Sequence, residues 1–110
     1  MSCKLTESAK MAVDFEGTPG QSAKLSIRTT GDPGSAELDF IRYNGQTITS
    51  DPAVVPIVAG QKPLIVGLRG TVDGQSCQLV EVCDDGTETK LRRYKYSALS
   101  PSRTLVLEGK

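Results

Sequence analysis

Ala36-Glu37-Leu38-Asp39-Phe40-Ile41-Arg42-Tyr43-Asn44-Gly45 is the stretch that decides how this chain folds. Ala36, Leu38 and Phe40 alternate with Glu37 and Asp39, the period of a strand with one face on a core and the other in water. After Phe40 the phase changes, because Ile41 and Tyr43 fall on the opposite parity. One extra residue in a strand resets parity in this way, so a β-bulge or an edge position is expected near Phe40. Asn44-Gly45 then supplies the two positive-φ positions of a tight type I′ turn.

The same grammar extends in both directions. Met11, Val13 and Phe15 alternate with Ala12, Asp14 and Glu16, and Ala23, Leu25 and Ile27 alternate with Lys24, Ser26 and Arg28. Leu64, Val66 and Leu68 repeat the pattern, and Leu105 and Leu107 flank Val106. Gly17-Thr18-Pro19-Gly20, Gly31-Asp32-Pro33-Gly34, Asp73-Gly74, Asp84-Asp85-Gly86 and Ser100-Pro101-Ser102 break the chain between these runs. Such clusters mark turns and leave no room for helices of ordinary length. The one helical turn the pattern admits is Leu5 to Met11, with Thr6 as its N-cap. Pro56, inside Ala53-Val54-Val55-Pro56-Ile57-Val58, cannot donate to a ladder and places its strand at an edge or a bulge. The chain therefore reads as all-β: one domain over residues 1–110, a two-layer antiparallel β-sandwich of about eight strands, immunoglobulin-like or related. A small β-barrel is the alternative, and residues 1–8 read as a loosely ordered N-terminal segment.

Composition narrows the chemistry. With 110 residues, 13 basic and 13 acidic side chains, and neither histidine nor tryptophan, the chain lacks an imidazole base or metal ligand and an indole platform for sugars. A formal net charge of zero gives no global attraction to nucleic acid or anionic lipid. Asp14 with Glu16, and Glu37 with Asp39, are carboxylate pairs, but on a solvated strand face they have no cleft to raise a pKa. The turn at Asp84-Asp85-Gly86-Thr87-Glu88 lacks the spaced ligands of calcium loops. No catalytic residue, cofactor or metal site is expected, and no segment is long and apolar enough to insert in a membrane.

Cys3, Cys77 and Cys83 are an odd set. Cys77 and Cys83 lie on one strand, too far apart to bridge each other. The first reading is three thiols packed as small apolar side chains. A disulfide from Cys3 to Cys77 or to Cys83 is the alternative.

One segment stands apart in charge. Glu81, Asp84, Asp85 and Glu88 are followed at once by Lys90, Arg92, Arg93 and Lys95, with Tyr94 and Tyr96 interleaved. Across a hairpin, acids facing bases would neutralise one another. Alternatively, the strand from Lys90 to Tyr96 is a basic, tyrosine-bearing surface for nucleic acid or carbohydrate. The poverty of catalytic groups favours an interaction or structural module that contacts another protein, or a second copy of itself, through loops or an exposed strand edge. Without an apolar leader at Met1-Ser2-Cys3-Lys4 the chain reads as cytoplasmic if complete, and as secreted or cell-surface if it is a mature or excised domain.

Overall fold

A computed structural model describes residues 3–30, 35–70 and 72–110. The long alternating stretches are strands: β3 (Ser22–Thr29), β4 (Ala36–Tyr43), β7 (Gly60–Gly70), β8 (Ser76–Val82), β9 (Glu88–Lys95) and β10 (Ser102–Gly109). Short strands complete them: β1 (Thr6–Glu7), β2 (Phe15–Gly17), β5 (Gln46–Ile48) and β6 (Ala53–Pro56). They form two sheets, β1-β2-β10-β7-β4-β5 and β6-β3-β8-β9, so the molecule is a β-sandwich and not a closed barrel. Leu25, Ile41, Val55, Leu64, Val66, Leu79 and Leu107 are sealed between the sheets. The turn cluster at Gly31 to Gly34 lies outside the described residues.

The bulge falls where parity requires it. Leu38 pairs with Leu68 and Phe40 with Gly67, leaving Asp39 as the extra residue. Phe40 is thereby turned to the outer face, while Ile41 and Tyr43 point into the core. Gly67 makes that turn possible, since a Cβ there would lie 2.1 Å from the Phe40 ring. The Arg42 guanidinium covers the same ring at 5.2 Å. Asn44 and Gly45 both adopt positive φ, 51° and 77°, and close the β4–β5 hairpin. Pro56 lies on β6, an edge strand.

Several expectations change. The sandwich is not wholly antiparallel, because β2 runs parallel to β10 through Phe15↔Leu107 and Glu16↔Glu108. Met11 is fully exposed in a turn, and the alternation becomes a strand only from Phe15. Thr6 begins a short strand and caps no helix. Nor do residues 3–8 hang free. Leu5 is buried, and the buried Glu81 carboxylate accepts the backbone N–H of Lys4 at 2.6 Å and of Leu5 at 3.1 Å. A buried acid needs such donors, and the N-terminal segment supplies them. Cys3 and Cys83 are joined by a disulfide, 80 residues apart in sequence. Three packed thiols are therefore replaced by one, Cys77, which is buried. Spacing alone could not choose between Cys77 and Cys83. The choice follows from Glu81, which draws residues 4 and 5 to the Cys83 end of β8.

Candidate binding edge and pocket

β9 is an edge strand of the four-stranded sheet, bonded to β8 on one side. An edge strand presents alternate backbone N–H and C=O groups outward. Tyr96 donates its N–H inward to the Gln75 carbonyl, so by the alternation of the ladder Arg93 and Lys95 offer theirs to solvent. Among the described edges β9 is the longest, at eight residues. β6 has four residues and a proline, β5 three and β1 two.

The register sorts the six residues picked out in sequence. Between Leu79↔Arg92 and Val80↔Lys90 the ladder carries a bulge at Leu91. Lys90, Arg93 and Lys95 are exposed. Tyr94 is 7% exposed and belongs to the core, and Tyr96 packs partly buried against it. Arg92 also points inward. Its guanidinium lies 5.1 Å from the centre of the Phe15 ring and 3.0 Å from Asp14. The other Asp14 oxygen accepts the Val106 N–H at 2.8 Å. Arg92 thus ties the two sheets together, and the Tyr94 ring is not presented to solvent.

The acids do not neutralise the bases across the hairpin. The turn at residues 84–87 sets the bases opposite Ser76, Gln78, Leu79 and Val80, none of them charged. The acids find partners elsewhere: Glu81 on backbone, Asp84 on Lys4 at 2.9 Å, Glu88 on the Arg28 Nε at 3.1 Å, and Asp85 on its own turn through Thr87. The two carboxylate pairs are likewise engaged. Arg69 holds Glu37 at 3.0 Å and Asp39 at 3.6 Å, Arg92 holds Asp14, and Lys110 holds Glu16 at 2.9 Å. Every acid among the described residues has such a partner. Lys90, Arg93, Lys95 and Arg103 have no ion pair among the described residues, nor do the dispersed Lys24, Arg42 and Lys62. The zero net charge is spatially uneven, and its positive excess gathers along β9 and the start of β10.

Arg103 lies outside the charged cluster of the sequence, and its one sequence signal is parity. It shares the parity of Leu105 and Leu107 but lies at the exposed start of β10, where the side chain stays open to solvent. Its guanidinium lies 4.8 Å from the centre of the Tyr94 ring. The two arginines are reciprocal: Arg92 reaches across to an aromatic of the six-stranded sheet, and Arg103 reaches back. A pocket of about 330 Å³ opens beside Arg103, bounded by the ends of β9 and β10 and the loop joining them. The Tyr94 hydroxyl is buried without a hydrogen-bond partner among the described residues. Burial, with the neighbouring Cys77 thiol, pushes its pKa well up from the ordinary phenol value, and Arg103 opposes this.

No family model matches this chain, and no curated protein or solved structure matches it.

Proposed function

We propose that this domain is a non-catalytic interaction module that takes an extended, acidic segment of another protein against the β9 edge. The observation that carries the reading is the row of cations, Lys90, Arg93 and Lys95, without an ion pair among the described residues, on the longest described edge. Backbone pairing supplies affinity in such augmentation, and side-chain charge selects the partner. Lysines on an edge also act against unwanted pairing. Two β9 edges of the same chain would bring like charges together, so self-association through this edge is disfavoured while an acidic strand is welcomed. Nucleic acid fits less well, because Arg92 and the Tyr94 ring are spent inside the sandwich and leave no interleaved stack. Catalysis has no base to rest on, since histidine is missing and the carboxylate pairs are held by arginine and lysine.

The test is fluorescence anisotropy at low salt with a labelled peptide alternating glutamate and valine, its lysine–valine counterpart, and a single-stranded oligonucleotide. The acidic peptide should bind, weaken with salt, and slow hydrogen exchange at the Arg93 and Lys95 amides. Arg93→Glu with Lys95→Glu should weaken it by at least about tenfold. Absence of acidic-peptide binding, or stronger binding of the oligonucleotide, overturns the reading.

A further inference from the structure

We propose that the pocket between the ends of β9 and β10 is a binding site for a small phosphate monoester, independent of the β9 edge reading. Its walls sort into two kinds. Arg103 brings a cation, Lys95 lines the pocket from the end of β9, and Ser100 and Ser102 bring hydroxyl groups. Tyr96 and Pro101 bring apolar surface, over a floor of the buried Tyr94 and Leu68. Among the described residues no carboxylate lines it. Asp73, which reaches the same loop, uses its Oδ1 to accept the Ala98 N–H at 2.7 Å and so helps to hold the loop in place.

Arg103 is the centre of the argument. Arg103 is exposed at the mouth of the pocket, unlike Arg92, which is half-buried and held by Asp14. Arg103 has stacking on Tyr94 but no acid among the described residues. Stacking fixes the plane of the guanidinium while leaving its edge N–H groups for an acceptor, and that fork suits the oxygens of a phosphate. The Ser100 and Ser102 hydroxyls can donate to the remaining oxygens. The volume, about 330 Å³, lies at the small end of ligand sites and exceeds what a bare oxyanion needs. The half-buried Tyr96 ring and Pro101 offer apolar contact to the group that the phosphate carries. A monoester satisfies both halves of the pocket.

The experiment titrates the protein with phenyl phosphate, inorganic phosphate and phenol. It follows tyrosine fluorescence and near-ultraviolet circular dichroism, which report here without tryptophan interference because the chain has none. Phenyl phosphate should give a saturable change and bind more tightly than inorganic phosphate or phenol. Arg103→Gln should weaken it by about tenfold, the loss of one charge-assisted contact, whereas Lys24→Gln, on the far strand β3, should leave it unchanged. Because Arg103 also covers Tyr94, the folded state of each variant is checked by urea midpoint, and Ser102→Asp provides a second variant that places a negative charge at the pocket and should abolish binding. Three results would each sink the proposal: phenyl phosphate without a saturable signal, equal binding to folded Arg103→Gln, or phenol binding as tightly as its phosphate. These ligands offer no strand to pair, so their outcome is separable from that of the acidic peptide.

Discussion

Arg92 and Arg93 are adjacent in sequence and opposite in role. Arg92 stacks on Phe15 and holds Asp14 between the sheets, while Arg93 is exposed on the edge without an ion pair among the described residues. Arg92→Ala removes a stacking contact and a partly screened ion pair, and should cost about 1–2 kcal/mol of stability in urea denaturation. Arg93→Ala should stay within about 0.5 kcal/mol of the parent. Equal effects would mean that the two side chains are not on opposite faces. Parity in the sequence had already separated Arg92 from Arg93. Which of the two faced inward needed the position of Phe15, which lies 77 residues earlier in the chain.

At the scale of elements, the parallel β2–β10 pair is fastened by charges on its outer side. Lys10 contacts Glu108 at 2.7 Å, and Glu16 receives Lys110 at 2.9 Å and the Ser8 hydroxyl at 3.0 Å. The hydrogen bond from Lys10 holds the Glu108 carboxyl below its ordinary pKa, and Lys110 with Ser8 does the same for Glu16. Glu108 in turn raises the pKa of Lys10. The signs give two limbs. A lowered carboxylate pKa stabilises the fold above the ordinary value of 4.5, and that contribution is lost as pH falls through the lowered one. A raised lysine pKa stabilises fully below 10.5, and its contribution is lost as pH climbs past the raised one. The urea midpoint should therefore drop at both extremes, and Glu108→Gln should flatten both limbs. Burial of Tyr94 also contributes to the alkaline limb, so the difference between parent and variant isolates Lys10. A variant profile with unchanged limbs would refute this account. None of the cluster was visible as a motif, because its members come from three separate segments joined by a parallel pairing.

At the scale of the molecule, the Cys3–Cys83 disulfide closes a loop over most of the chain. Loop-closure entropy for that span predicts a large effect, and measured losses for native disulfides run to about 2–5 kcal/mol. Cys3→Ser with Cys83→Ser should lower stability by about 2–4 kcal/mol in denaturant. It should not abolish the fold, since Glu81 still anchors residues 4 and 5. Thiol titration of the unfolded, unreduced protein should find one group, Cys77, whose burial raises its pKa and shields it in the native state. Three thiols, or no loss of stability, would contradict the tether.

The β-sandwich was legible because strand parity, glycine turns and the proline edge are local signals, set by φ preferences and by which side chains avoid water. The bulge before Phe40 belongs to that class. So do the absence of imidazole chemistry and the balance of charge. Neither the Cys83 partner of Cys3 nor the parallel β2–β10 pair is local in this sense. Each depends on which distant segments lie side by side, and that is fixed by the summed burial of both sheets. Charge shows the difference most clearly. Thirteen bases and thirteen acids are fixed by the sequence, but the fold spends the described acids on backbone amides and other cations. Only that arrangement leaves Lys90, Arg93, Lys95 and Arg103 without an ion pair among the described residues, the last two at the rim of a pocket.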